Sequence, residues 1–409
     1  MHRVFLCLPL WCLLLRAESG YDDLLRAGLA AMQASQMTEA RSSLERAVKL
    51  KPDGGEAWAA LAQVYAKLNF AVSARTAAGK AEGLARSNPA VLRGLADYYA
   101  GTTDKTRAAD YAERYWTAAG TSDREAILRA VSLRLEARQP KVAAALALRG
   151  LAAGDRADLR TLLARAYEAD GQTGRAINEY NRVIMLDPYE ESCYFELGQL
   201  LIDKENFTTA VQVLEAARKI FDKSAEIELA LGTAYYGLKK YDNAAFAFLK
   251  TVTLAPQAPQ AYTFLGNVLD QSARWLPEVT NAFAEFAENQ PRQYLPQFLY
   301  GKALRLGGKD PAAAEARLRK SIELEDRFWE SHLQLGILLA TKANLPAAEQ
   351  ELKRAAVLAP RSPLPYQQLA SVYDHMGKPA EAKTARATAE KIGSETPAAA
   401  PQRKTASTR

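Results

Sequence analysis

Cysteine is scarce in this sequence, which has three among 409 residues. Cys7 and Cys12 lie near the start, inside a segment that we expect to be removed from the mature chain. Cys193 would then be the single remaining cysteine, so no disulfide could form within the mature chain. Stability must therefore come from packing, and we expect Cys193 to be a buried, unreactive side chain.

Histidine is equally scarce, and the common catalytic motifs are missing. Of the three histidines, His332 and His375 have no cysteine or carboxylate at the sequence spacing of a metal site. No HExxH, GxSxG, phosphate-loop or GxGxxG string occurs in the sequence. We therefore expect no catalytic residue, no metal and no cofactor, and we expect that the protein is not an enzyme.

Long apolar runs are missing except near the amino terminus. The run from Val4 to Leu15 follows His2 and Arg3, and small residues occur after it up to Ser19. This order is typical of a secretory signal peptide over residues 1–19, and the run is too short to span a membrane once the chain is mature. We expect an exported protein, periplasmic or secreted, and the alternative is that the segment stays as an uncleaved anchor.

A strong excess of one charge is missing as well. Lys and Arg number 53 and Asp and Glu 47, which gives a net charge of +6. Because the two signs are interleaved along the chain, we expect a mixed-charge surface and no binding of nucleic acid. Sustained alternation of apolar and polar residues is also absent, so we expect no strands.

What the sequence does contain is a repeat of about 34 residues that covers most of the chain. One copy reads Tyr194, Leu197, Gly198, Leu201, Ala210, Leu214 and Ala217. The following copy reads Glu228, Leu231, Gly232, Tyr235, Ala244, Phe248 and Thr251. The small residues mark places where two helices cross closely, and the large apolar residues form a stripe buried between helices.

This order and spacing resemble the tetratricopeptide repeat, in which each unit is a pair of antiparallel helices. The resemblance covers about residues 21–392 and implies an all-α fold, a right-handed superhelical solenoid of about eleven helix pairs. We divide the chain into a signal peptide at 1–19, the solenoid at 20–392 and a disordered basic tail at 393–409. The tail is rich in Pro, Ala, Ser and Thr and cannot bury a core.

Three copies depart from the pattern. The fourth has Ala130, Val131 and Arg134 where Leu, Gly and Tyr would stand, and we expect it to be a weak unit. The eighth and ninth copies each carry one inserted residue, in the ninth at Gly307 and Gly308. We expect the insertions to change the path of the helix array locally.

The resemblance also implies a binding surface, because in this family the first helices of the pairs line a concave groove. Positions two, five, nine and twelve of the first helix face it. The groove residues predicted in this way are Phe195, Gln199, Thr233, Tyr236, Thr263, Asn267, Asp270, Phe298, Lys302 and Arg305. Rings and amides suit an extended peptide. Asn267, Lys302 and Arg305 resemble part of the family's carboxylate clamp, whose upstream half is missing here.

These observations predict a non-enzymatic protein–protein interaction scaffold of the cell envelope that binds a peptide or protein segment in its groove. The alternative is an accessory or assembly subunit of a polysaccharide export or secretion machine. Carbohydrate handling favours exposed tryptophans beside acidic residues, whereas Trp275 and Trp329 fall at repeat junctions. This placement favours a protein partner.

Overall fold

The computed structural model describes residues 10–395, with side chains from residue 20 onward. The beginning of the predicted signal peptide and nearly all of the predicted tail lie outside the described residues, so both stay predictions. Between residues 10 and 395 the structure has 22 helices and no strand. This confirms the all-α fold of eleven helix pairs.

The described helices belong to two compact units. Unit 1 extends to Leu197 and unit 2 begins at Gly198, so the boundary falls inside helix α11, Glu191–Asp203. The other helices of unit 1 are α1 Leu10–Gln33, α2 Met37–Leu50, α3 Gly55–Lys67, α4 Ala71–Leu84, α5 Pro89–Ala100, α6 Lys105–Ala119, α7 Arg124–Glu136, α8 Pro140–Leu151, α9 Ala157–Ala169 and α10 Thr173–Leu186.

Unit 2 continues the same alternation of first and second helices. Its helices after α11 are α12 Phe207–Ile220, α13 Ala225–Gly237, α14 Tyr241–Leu254, α15 Pro259–Val268, α16 Leu276–Asn289, α17 Tyr294–Gly307, α18 Pro311–Leu324, α19 Trp329–Thr341, α20 Leu345–Leu358, α21 Pro363–His375 and α22 Pro379–Glu395. Short turns join the two helices of a pair, which makes them antiparallel neighbours. Each second helix also packs on the first helix that follows it.

Glycine marks the closest approach between the two helices of a pair. A Cβ added to Gly198 would lie 2.5 Å from Cδ2 of Leu214, and one added to Gly336 would lie 2.6 Å from Cγ of Leu352. At Gly232 the added atom would meet the ring of Phe248 in the same way. Because all three contacts join the same two repeat positions, the structure confirms the predicted register.

The alanine that the repeat places early in the second helix is buried throughout. Ala40, Ala74, Ala108, Ala176, Ala210, Ala244, Ala348 and Ala382 are each 2% exposed or less. A methyl group is the largest side chain that lets the first helix approach at this point, because bulkier groups would force the backbones apart. The repeat pattern therefore describes packing, and its variable positions are left for other roles.

The degenerate fourth copy still forms a helix pair, α7 and α8. Arg134 occupies the place of the usual tyrosine, and its guanidinium lies 2.8 Å from carboxylate oxygens of both Asp110 and Glu113 on α6. It also donates a hydrogen bond to Gln139 at 2.7 Å. The charged side chain thus links α7 to α6 and to the turn before α8, where a tyrosine would contribute mainly apolar area.

The two insertions are absorbed in turns. In the eighth copy, α15 has 10 residues and a longer turn follows it. Trp275 fills this turn, since its Nε1 donates to the Asp242 carbonyl at 3.0 Å and its ring packs on Phe246. In the ninth copy, Gly308 ends α17 with a φ of 66°, in the left-handed region that favours glycine.

Two repeats of unit 2 bury a titratable side chain at the repeat position of Tyr194, which is not the tyrosine position that Arg134 fills in the fourth copy. Glu228 is 1% exposed and pairs with both Arg218 and Lys250. His332 lies 2.7 Å from Glu351 through Nδ1 and 3.0 Å from the Asp326 carbonyl through Nε2. Because both ring nitrogens face acceptors, the imidazolium satisfies two hydrogen bonds and the neutral ring only one.

Cys193 is buried, as expected. Cys193 is inaccessible in α11 and its thiol donates to the Tyr180 carbonyl at 3.4 Å. Burial, with help from the nearby carboxylates of Glu196 and Glu190, raises the pKa of the thiol to about 12. The prediction of a buried, packed cysteine is confirmed, and its lack of reactivity stays a prediction.

Candidate partner-binding face

In unit 2 the first helices from α15 to α21 form a continuous layer. Helix α15 contacts α17, α17 contacts α19, and α19 contacts α21. We call one group of side chains on these helices and on α13 the first-helix face. It comprises Tyr236 on α13, Asn267 and Asp270 on α15, Arg305 on α17, and Gln334 on α19.

Asn267 is the predicted groove residue whose amide has no partner. Its side chain is exposed and makes no hydrogen bond to any residue that the structure describes. An amide with two free donors and a free acceptor can pair with one peptide group of an extended segment. Asn267 therefore offers both donor and acceptor capacity in the middle of the face.

Tyr236 lies on α13, close enough to Asp270 on α15 for their charges to interact, and is half-buried. Its ring packs edge-to-face on Tyr241, with centroids 5.5 Å apart. Burial, together with Tyr241 and the carboxylate of Asp270, raises the pKa of its hydroxyl. The side chain stays neutral at physiological pH and presents a rigid aromatic surface with a hydroxyl at its edge.

The two predicted threonines are satisfied within their own helices. The Thr233 hydroxyl donates to the Leu229 carbonyl at 3.0 Å, and the Thr263 hydroxyl to the Pro259 carbonyl at 3.2 Å. Each hydroxyl keeps only its acceptor capacity for a ligand.

Phe298 is a core residue, contrary to what a groove position implies. It is 7% exposed, and its ring lies edge-to-face on Phe328 with centroids 4.9 Å apart. Phe328 is in the loop before α19, so the contact joins two consecutive repeats. The side chain therefore contributes to packing and offers little surface to a partner.

Lys302 is buried too, at 4% exposure. Its Nζ donates to the Gly266 carbonyl at 2.9 Å and to the Asp270 carboxylate at 2.6 Å. Burial lowers the pKa of the ammonium group, and the charge of Asp270 opposes this effect. The lysine thus links α17 to α15, and its charge is balanced within the fold.

Arg305 lies one turn further along α17 and is half-buried. Its Nε donates to Oε1 of Gln334 on α19 at 2.7 Å. Burial lowers the pKa of the guanidinium, and Asp270 offsets part of that effect. Lys302 and Arg305, which the sequence pairs as one basic cluster, therefore have different surroundings.

Phe195 and Gln199 lie on α11 on opposite sides of the unit boundary. Phe195 belongs to unit 1 and is half-buried, whereas Gln199 belongs to unit 2 and is exposed. Gln199 donates to Asp203 on its own helix at 3.3 Å. Whether these or the other groove residues contact a partner stays a prediction.

Two residues of the region were not predicted from the sequence, Glu330 and Gln334. Glu330 occupies position two of α19, so extending the groove rule by one helix would have named it. Gln334 occupies position six, which that rule omits, and only its hydrogen bond with Arg305 reveals its place.

The described residues give no sign of other site chemistry. Among residues 20–395, no group of three or more His, Cys, Asp or Glu side chains is arranged to hold a metal ion. In the described part of the chain, no helix has the length and apolarity needed to cross a membrane.

Comparison with protein families identifies the repeat. One model of the tetratricopeptide repeat matches residues 25–89 and 195–261, and a second model of this repeat matches residues 157–190. Together with the helix pairs and their register, these matches show that the chain is a tetratricopeptide repeat protein. A comparison with curated proteins found no significant match.

Solved structures with similar helix arrays are distant in sequence. The Naa15/Naa10 complex bound to HypK-THB gives a TM-score of 0.41 at 16% identity, with 92% of this chain and 64% of that chain covered. Yeast Tom70 gives 0.37 at 16% identity, with 92% of each chain covered. The C-terminal part of a repeat protein from Cytophaga hutchinsonii gives 0.46 at 17% identity, covering 67% of this chain and 98% of that one. This chain spans less than two thirds of the first of these, and similarity at this level implies no shared partner.

Proposed function

We propose that the protein is a non-enzymatic scaffold that binds a peptide or protein segment on the first-helix face of unit 2. The observation that carries this proposal is a set of accessible polar groups without partners on consecutive first helices. Among the described residues, the Asn267 amide makes no hydrogen bond, and the terminal nitrogens of Arg305 donate to none. Polar groups that the fold leaves unpaired are available to a ligand.

An extended segment is the ligand that fits this arrangement best. Asn267 and Arg305 lie on helices that contact each other, so one segment crossing α15 and α17 can reach both. Tyr236 adds a ring on which an apolar side chain can pack without a large entropy cost. Amides that pair with the peptide backbone and a ring that anchors a side chain are features of peptide recognition in general.

We also propose that the chain acts outside the cytoplasm as part of the cell envelope. The support is the basic start, the apolar run to Leu15 and the small residues up to Ser19. Tyr21, just beyond the proposed cleavage site, is buried against Gly54, so a chain that begins at Gly20 keeps this contact. Intact-mass analysis of the protein from its host tests this: a chain that begins at Gly20 supports export, and one that keeps residues 1–19 contradicts cleavage.

Recovery of partners by matched variants tests the scaffold proposal. One variant carries Tyr236→Ala and Asn267→Ala on the first-helix face. Its control carries Thr253→Ala and Val357→Ala, which change exposed residues on the second helices α14 and α20. We expect proteins that co-purify with the parent chain to be depleted about tenfold or more with the first variant, because loss of central interface contacts has effects of this size. The control variant should retain them. Equal recovery with both variants contradicts the proposal.

A further inference from the structure

The two cations of α17, Lys302 and Arg305, differ in whether the fold supplies a counterion. Lys302 has a carboxylate at 2.6 Å and a carbonyl at 2.9 Å, so its charge is already paired. Among the described residues, no carboxylate lies within ion-pair distance of the Arg305 guanidinium. Arg305 is therefore the cation of this region that lacks a direct counterion.

The surroundings of Arg305 favour an anion. Its Nε is fixed by Gln334, which leaves the two terminal nitrogens with four N–H donors and no acceptor among the described residues. The guanidinium is half-buried, and a partly desolvated cation gains more from a counterion than one in bulk water does. A carboxylate can bind the planar guanidinium through two parallel hydrogen bonds.

Gln334 adds to the same donor set. Because its Oε1 accepts from Arg305, its Nε2 keeps both protons, and it donates to no described residue. Gln334 is 8% exposed, so the amide is held rigidly by its surroundings. A carboxylate between the two side chains could accept from the guanidinium and from the amide.

Nearby carboxylates restrict which anion fits. Asp270 lies on the same face, and Glu330 lies close enough to Lys302 for their charges to interact. The Oε2 atom of Glu330 is buried and has no hydrogen-bond donor. Two acidic neighbours disfavour a divalent group such as a phosphate.

We propose that Arg305 and Gln334 bind the carboxylate of an acidic side chain, Asp or Glu, within the segment held on the first-helix face. This inference rests on the proposed function and adds the chemistry of the partner. A chain-terminal carboxylate is not the expected ligand, because Lys302, which would share it, is neutralised by Asp270. Lys302 instead holds α17 against α15, and Arg305 binds the ligand's carboxylate.

Titration of the full chain with small capped amino acids tests this without a mutation. The probes are N-acetyl-glutamate methylamide, the neutral N-acetyl-glutamine methylamide, and N-acetyl-alanine with its free terminal carboxylate. The readout is the Nε–Hε NMR signal of Arg305 in a chain labelled with ¹⁵N-arginine, assigned by its loss in Arg305→Lys. The signals of Arg319 and Arg354, which already have carboxylate partners, serve as internal controls.

We expect a saturable shift of the Arg305 signal with the glutamate probe, with a Kd on the order of 10 mM for one charge-assisted contact. The shift should be absent with the glutamine probe and weaker with N-acetyl-alanine. Gln334→Met, checked for an unchanged melting curve, should weaken binding of the glutamate probe about threefold or more. No saturable shift up to about 100 mM, or an equal shift with the glutamine probe, overturns the proposal. A stronger response to N-acetyl-alanine also overturns it in favour of a chain terminus.

The two proposals fail separately. If partner recovery depends on Tyr236 and Asn267 but the Arg305 signal does not respond, the scaffold function stands and the acidic anchor is wrong. If the Arg305 signal responds but partner recovery ignores the face, the anion contact is real and the binding surface for the partner lies elsewhere.

Discussion

Replacing Gly198 by leucine should destabilise unit 2, because the space for a side chain is occupied. The added Cβ would lie 2.5 Å from Cδ2, 2.8 Å from Cγ and 3.0 Å from Cδ1 of Leu214. Leu214 is fully buried, so it cannot swing into solvent, and the two helices must move apart. Overpacking of this kind costs about 1–3 kcal/mol, and we expect the upper half of that range, since three further carbons follow the Cβ.

The same substitution at Gly79 should have the opposite sign. Gly79 lies inside helix α4, it is exposed, and an added Cβ would meet no atom within 4 Å. Leucine is a better helix former than glycine by roughly 0.5–1 kcal/mol, and nothing here opposes that gain.

Thermal melting followed by circular dichroism at the helix band measures both variants against the parent chain. We expect Gly198→Leu to lower Tm by about 4–8 °C, as a loss of ~2 kcal/mol does for a domain of this size. Gly79→Leu should leave Tm unchanged or raise it slightly. If Gly198→Leu melts like the parent, or if both substitutions lower Tm equally, the assigned register and the helix crossings derived from it are wrong.

Three further outcomes follow from buried groups. Burial alone would lower the pKa of His332, but Glu351 and the Asp326 carbonyl raise it overall. The stability that the charged ring contributes is therefore present below its unfolded pKa and is lost as pH rises through the raised folded pKa. The urea midpoint should fall between about pH 6 and pH 8 in the parent chain and change less in His332→Gln. Glu228→Gln leaves two cations against a buried neutral amide and should cost about 3 kcal/mol in urea unfolding, whereas a cost near zero would mean that the ion pairs contribute nothing. A thiol reagent should leave Cys193 unmodified in the folded chain with Cys7 and Cys12 replaced by Ser, and modify it once urea unfolds the protein; rapid labelling without urea would show that the site opens.

The helix pairs could be predicted because their signal is periodic and local. Gly198 and Leu214 recur as Gly232 and Phe248 one repeat later, so a single chain shows which residues cross. The fourth copy was harder, since Arg134 replaces a tyrosine and holds its repeat through Asp110 and Glu113. Its partners come from the preceding helix, which the repeat pattern alone does not indicate.

The first-helix face was predictable in position and not in chemistry. Register placed Asn267, Asp270, Lys302 and Arg305 on first helices, and contacts between these helices bring the last three together. The burial of Lys302 depends on the Gly266 carbonyl and on Asp270 in the preceding repeat. Such distances depend on how consecutive repeats stack, and the sequence of one repeat carries no signal for them.

The same limit applies to Phe298. Its position in the repeat places it on the groove side, but Phe328, which precedes the next first helix, packs over it. The loop before α19 therefore covers a ring that a simple register leaves open. Phe298→Ala should cost about 3–5 kcal/mol as a core substitution, so it cannot serve as a test of binding.

Photo-crosslinking in the host tests the central claim, that a partner binds the first helices of unit 2, most directly. A photoreactive amino acid replaces Asn267 on α15 in one strain and Val357 on α20, which is 70% exposed, in another. Both positions are exposed, and they lie on different helices of the pair. We predict a discrete crosslinked protein from position 267 and none from position 357, and crosslinking from position 357 alone, or equally from both, would contradict the account.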